Sequence, residues 1–147
     1  MEHMFEHIGI TVRNLDISVN FYCKYLGLSL IRQSEITSDV ISRFFEIYHI
    51  EKPVSCKTAL LEMAGGGRLE LFEFSPSFPS DHIVWNRVGL THLAFLTDSA
   101  AAKHAELSLS GVDLCDVLAT RPDGGKRFFI RDPDGILIEI MESFPKK

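Results

Sequence analysis

Two short segments constrain this chain more than any other feature. His7-Ile8-Gly9-Ile10-Thr11-Val12 and Thr91-His92-Leu93-Ala94-Phe95-Leu96 each read as a strand carrying one histidine among apolar residues, with a helix pattern following. Each is completed downstream by a strand with a mid-strand carboxylate, Leu69-Glu70-Leu71 and Ile138-Glu139-Ile140. Aligning His7 with His92 needs an offset of 85 (92 − 7), and aligning Glu70 with Glu139 needs 69 (139 − 70). The second offset also carries Lys57 onto Lys126 and Leu60 onto Phe129. The difference of 16 (85 − 69) falls on an extra helix. An ordered repeat of this kind predicts one α+β domain over 1–147 made of two βαβββ modules. The first spans about 4–75 with a helical insertion near 39–50, a linker follows at about 76–88, and the second spans about 89–143.

Local signals place the elements. Residues 4–13 alternate as a strand, with Ile8, Ile10 and Val12 on one face and Phe5, His7, Gly9 and Thr11 on the other. Asn14 or Asp16 caps a helix over 16–26 with Ile17, Phe21 and Tyr25 at four-residue spacing, and Gly27 ends it. A strand at 28–32, a polar stretch at 34–39 and a short helix with apolar positions 40, 44, 47 and 48 follow, limited by Pro53. Strands at 57–63 and 68–74 flank the Gly65–Gly67 turn. In the second module the pattern predicts a strand at 88–97 and a helix capped by Asp98 or Ser99 that runs to about 110 and stops at Gly111. A strand at 112–119 and a hairpin of 126–131 with 136–142 across Asp132-Pro133-Asp134-Gly135 complete it.

The composition is that of a globular chain, with 46% hydrophobic and 24% charged residues. A net charge of −5 with dispersed Lys and Arg argues against a nucleic-acid or anionic-membrane binder. No apolar run approaches the roughly 20 residues needed to span a bilayer. The N-terminal Met-Glu-His-Met-Phe-Glu lacks a signal-peptide pattern, and Cys23, Cys56 and Cys115 are an odd set without paired spacing. Both readings lead to the expectation of a cytoplasmic protein with reduced thiols.

Period two puts Glu70 on a face with Phe72 and Phe74, and Glu139 with Leu137 and Met141. A carboxylate on an apolar strand face costs several kcal/mol unless something compensates it. Arg32, Arg68, Lys126 and Arg127 could do so. So could a divalent cation, because two neutral imidazoles and two carboxylates carry −2, and mixed N/O ligation suits Zn, Ni, Co, Mn or Fe. A single strand histidine is ordinarily a satisfied core residue, so matched placement is what singles out His7 and His92 from His3, His49, His82 and His104. Trp85 and Phe78 read as packing near the linker. The glycine run 65–67 precedes no helix and makes no phosphate cradle.

The ordered set His7–Val12, Ser18, Phe21-Tyr22, Leu26-Gly27-Leu28, Leu69–Phe72, Thr91–Phe95 and Asp132–Gly135 with Ile138-Glu139 resembles the glyoxalase I signature of the glyoxalase/bleomycin resistance/dioxygenase, or vicinal oxygen chelate, superfamily. The resemblance implies a glyoxalase-like fold with a metal-holding cleft, with His7, Glu70, His92 and Glu139 as the metal positions. It implies a divalent ion, zinc or nickel before cobalt, manganese or iron. It further implies a small-molecule substrate, a homodimer, and a lyase or isomerase of the glyoxalase I type with Glu139 as first candidate base and Glu70 as second. Glutathione-using members tend to carry Arg four residues after the first ligand and Asn four after the second, where this chain has Thr11 and Phe74. Loss of the guanidinium removes a charged partner for a carboxylate-bearing substrate, and Phe74 suits a less charged one.

Three other chemistries of the same superfamily stay open. The strand Lys57-Thr58-Ala59-Leu60-Leu61 also resembles methylmalonyl-CoA epimerases, which usually have Gln where Glu70 stands and a second acid just before this strand, where Glu51 is nearby but out of register beside Pro53. An iron-dependent ring-cleaving dioxygenase needs two His and one Glu and would leave Glu70 superfluous. A metal-free ligand-sequestering resistance protein need not keep the ligand set at all.

Overall fold

The repeat read from the sequence reappears as one frame built twice. The computed structural model describes residues 3–42, 47, 49–50, 55–78 and 85–143. Its chain divides into two units, Met1–Ser80 and Asp81–Lys147.

The first unit runs β1 (His7–Thr11), α1 (Leu15–Leu26), β2 (Ser29–Ile36), α2 (Ser38–Ser42), β3 (Ser55–Glu62) and β4 (Arg68–Ser75). Its sheet has the order β1-β4-β3-β2, with β1 parallel to β4 and the other pairs antiparallel. The second unit runs β5 (Leu93–Thr97), α3 (Ala100–Ser108), β6 (Asp113–Leu114), β7 (Ala119–Thr120), β8 (Lys126–Arg131) and β9 (Leu137–Glu142). Its order is β5-β9-β8-β6, with β5 parallel to β9 and β7 also on β8.

Hydrogen bonds repeat at the sequence offsets. Asn14 caps α1 by accepting from the Ile17 amide at 3.0 Å, and Ser99 caps α3 by accepting from the Ala102 amide at 3.2 Å. The Glu73 carboxylate accepts from the Leu15 amide at 2.6 Å, and the Glu142 carboxylate from the Ala100 amide at 3.1 Å. Each acid satisfies a first-turn amide that the helix itself cannot, from a strand three residues beyond the mid-strand glutamate.

The cores fix the register. Leu69 and Leu71 of β4, and Ile138 and Ile140 of β9, are buried, and the glutamates between them point to the opposite faces. Burying each such side chain is worth about 1.5–3 kcal/mol. A one-residue slip would expose two of them and drive Glu70 or Glu139 into the core.

Several boundaries differ from the sequence expectation. In α1 the buried row is Leu15, Ser18, Phe21 and Tyr22, while Ile17 is 55% exposed. β2 continues through the expected polar stretch to Ile36, because the Ser34 hydroxyl meets that of Thr58 at 2.9 Å across the ladder. The insertion helix begins at Ser38 rather than 40; α2 covers Ser38–Ser42, and residues 43–46 and 48 lie outside the described residues. The strand expected at 88–97 begins only at Leu93, so His92 stands just before β5 rather than on it. The strand expected at 112–119 breaks into β6 and β7, where the Asp116 carboxylate accepts from the Phe129 amide at 3.0 Å in place of a backbone carbonyl. The expected linker lies partly outside the described residues, at 79–84. Among the described residues no helix is long and apolar enough to cross a membrane.

Candidate metal centre

In the first unit β1 and β4 lie side by side with Gly9 opposite Glu70. That register puts Nε2 of His7 3.4 Å from Oε2 of Glu70. The other ring nitrogen, Nδ1, hydrogen-bonds the Glu6 carboxylate, which Arg68 also holds. The bond from His7, and then that from Arg68, hold the Glu6 carboxyl below its ordinary pKa. A proton donated from Nδ1 leaves the Nε2 lone pair facing Glu70, the tautomer a metal ligand needs.

The second unit repeats this frame, with Ala94 opposite Glu139. Nε2 of His92 lies 3.4 Å from Oε2 of Glu139, and Nδ1 meets the Thr91 hydroxyl at 2.9 Å. Here the imidazole is also clamped. The Trp85 ring stacks on it at 5.0 Å between centroids and 5° between planes, and the Phe129 ring meets it edge-on at 5.8 Å. Arg127 lies over Phe129 and sends Nη1 to within 3.3 Å of the second Glu139 oxygen.

The four expected ligands therefore form two pairs, one in each unit. No group of three or more metal-ligating side chains forms among the described residues. Within each pair the donor spacing fits two ligands of one cation. Metal–nitrogen and metal–oxygen bonds of about 2.0–2.2 Å place two ligand atoms roughly 2.9–3.5 Å apart for bond angles between square and tetrahedral. The observed 3.4 Å is within that span at both pairs. Of the cations considered as the alternative, Arg127 reaches Glu139, whereas Arg68 is directed to Glu6 and Glu62.

A cavity of about 490 Å³ opens beside the first pair. His7, Glu70 and Thr11 meet it, and Phe72, Phe74 and Ile36 wall it, as do Val40, Ile41 and Ile50 of the insertion. Glu70, Phe72 and Phe74 share one strand face, as the alternation predicted. Cys56 also touches the cavity, where burial, followed by the charges of Glu70 and Glu73, pushes its thiol up to about 11, so it stays protonated at neutral pH.

Sequence reasoning missed the surroundings of the pairs. Trp85 lies in an irregular segment with no periodicity to reveal its stacking on His92. The insertion could be seen as extra chain but not as a cavity wall. Thr91 did stand inside the quoted motif, directly before the histidine it bonds.

The Glyoxalase/Bleomycin resistance protein/Dioxygenase superfamily profile matches residues 4–140. The chain is 32% identical over 139 residues to the uncharacterized protein YaeR of Escherichia coli strain K12, covering 92% of this chain and 93% of that one. It is 26% identical over 137 residues to the lactoylglutathione lyase of Escherichia coli O157:H7, covering 92% and 90% respectively. Its fold superposes on a glyoxalase family protein of Bacillus cereus with a TM-score of 0.79 at 21% identity, covering 96% of this chain and 94% of that one. With the duplicated frame and its matched pairs, these likenesses lead to one conclusion: the chain belongs to the glyoxalase/bleomycin resistance protein/dioxygenase superfamily.

Proposed function

We propose that this protein is a metal-dependent enzyme of the lyase or isomerase type, acting on a small carbonyl substrate through two adjacent substrate oxygens and a proton transfer. The observation that carries the reading is the pair of equal donor spacings, 3.4 Å from His7 to Glu70 and 3.4 Å from His92 to Glu139. His7, Glu70, His92 and Glu139 together would hold the divalent ion, zinc or nickel before cobalt, manganese or iron. When bound, such an ion polarises the substrate oxygens and acidifies the adjacent carbon.

The chain's own residues would divide the remaining work. The Glu6 carboxylate holds the His7 imidazole in one tautomer, and the Thr91 hydroxyl orients the His92 ring. A carboxylate then takes the proton from the substrate carbon and returns it. Glu139 and Glu70 are the two candidates. Arg127 occupies one oxygen of Glu139, whereas Glu70 opens on a cavity of substrate size, and this favours Glu70 over the order expected from sequence. The similarity to a lactoylglutathione lyase supports the reaction class. The cytoplasmic setting and the homodimer belong to the same proposal. Against a dioxygenase, Glu70 holds the same relation to His7 as Glu139 does to His92, so neither acid is superfluous.

Metal analysis of protein purified without chelator tests the reading. About one ion per pair of pairs is expected, and fewer than about 0.2 per chain after adding Zn, Ni, Co and Mn in turn defeats it in favour of sequestration. Methylglyoxal hemithioacetal, methylmalonyl-CoA and catechol offered side by side then separate lyase, epimerase and dioxygenase chemistry.

A further inference from the structure

We infer that the cavity beside His7 and Glu70 receives an uncharged, apolar substituent of the substrate, and that Val40 and Ile41 of the insertion set how large that substituent can be. The inference rests on the chelate reading above and adds the substrate class to it. A volume of about 490 Å³ holds far more than the two oxygens and one carbon that the chemistry needs. His7 and Glu70 belong to its lining; the remaining wall is mostly aliphatic and aromatic, with Phe72 and Phe74 from β4 and Val40 and Ile41 from α2.

Charge decides between a polar and an apolar occupant. Among the described residues no Lys or Arg lines the cavity, and Glu70 is its charged group. A carboxylate- or phosphate-bearing tail placed there would lose its water without gaining a counter-charge, and would face Glu70. Thr11 meets the cavity with only a hydroxyl to offer. An alkyl or aryl tail meets neither penalty and gains about threefold to fourfold in affinity for each buried CH₂.

The shape follows from particular residues. A Cβ on Gly9 would come within 3.1 Å of the Phe72 ring, so the glycine lets that ring lie against β1. Ile41 is buried and fixes α2, whereas Val40 is 45% exposed although it lines the cavity. An apolar tail would cover it. Val40 is thus the residue whose size the occupant meets without the fold depending on it.

Hydroxamates test this, since they present two adjacent oxygens to a metal and carry any tail. Titration calorimetry of the nickel-loaded chain with aceto-, butano-, hexano- and octanohydroxamate should show affinity rising about threefold per CH₂ until the cavity is full. Succinic monohydroxamate, the same length as butanohydroxamate but with a carboxylate at the end of its tail, should bind at least about tenfold more weakly. Val40→Asp should flatten the series, and Val40→Phe should end it at a shorter chain, both with an unchanged melting profile. Thr11→Arg should recover binding of the succinic compound. A flat series in the wild-type chain, or equal binding of the succinic and butano compounds, overturns the apolar pocket and leaves the chelate reading standing. Failure of every hydroxamate to bind the nickel-loaded protein overturns the chelate reading, and the pocket's role with it.

Discussion

The two histidine–glutamate pairs share a backbone frame and a donor spacing, and differ in nearly everything around them. In the first unit the His7 side chain is 44% exposed, is oriented by the Glu6 carboxylate and opens on a cavity. In the second the His92 side chain is 24% exposed, packed under Trp85, edged by Phe129 and oriented by a hydroxyl. Glu139 has an arginine on its free oxygen, whereas the ion pair of Glu70 among the described residues is with His7. The parallel pairings of β1 with β4 and β5 with β9 set the donors, because strand neighbours fix side-chain positions. The segments outside the sheet set what each pair can do. One half opens on a cavity and the other is packed around its histidine, a division that the repeat alone would not suggest.

The largest effect that tests this contrast is loss of a histidine. His7→Ala and His92→Ala should each weaken zinc or nickel binding by at least about 100-fold in competition with a chromophoric chelator, since on the proposed reading each removes a direct ligand. If only one of them does so, the pairs are not equivalent halves of one set. Next comes the clamp. Trp85→Ala should weaken metal binding about tenfold, and Trp85→Phe far less, because a stacked ring holds the imidazole in place. Trp85 is the only tryptophan in the chain, so binding of cobalt at His92 should quench the protein's indole fluorescence with the same midpoint. Unaltered fluorescence at saturating cobalt would show that the ion does not reach His92. A smaller effect of opposite sign is expected from Arg127→Met. Removing a cation 3.3 Å from Glu139 should tighten metal binding several-fold, damped because Arg127 is partly exposed. Weaker binding instead would make Arg127 a support for the carboxylate rather than a competitor for it.

How far the sequence reached follows the same division. The two longer helices α1 and α3, caps narrowed to Asn14 or Asp16 and to Asp98 or Ser99, the hairpin of β8 and β9 and the faces of Glu70 and Glu139 were legible, because periodicity and capping are local and repeated. The four ligand-type residues were legible for the same reason, as matched positions in two modules. Contacts across elements were not. The extension of β2 depends on Ser34 finding Thr58, twenty-four positions away, and polar residues alone read as loop. The break between β6 and β7 depends on Asp116 accepting from Phe129. The clamp by Trp85 comes from a segment too short to carry a period, and the helical spacing that included Val40 gave no sign of the cavity that it and Ile41 line.

The smallest effect bears on how dry the floor of the first unit's cavity is. Burial, followed by the charges of Glu70 and Glu73, raises the Cys56 thiol from 9.0 to about 11, and burial raises Cys115 in the second unit as well. The sign follows from proton binding. Between about pH 9 and 11 the folded chain keeps the Cys56 proton and the unfolded chain has released it, so the native state holds more protons and its stability falls as pH rises. Wild-type protein should therefore lose urea stability across that interval, and Cys56→Ala should lose less. The comparison is made on the slope, because the alanine also removes packing at a fully buried site and shifts the whole curve. Cys115→Ala is the matched control, on the partly exposed thiol of the other unit. Equal slopes in wild type and Cys56→Ala would mean that water reaches the thiol, and an apolar tail would then have to displace that water to fill the cavity.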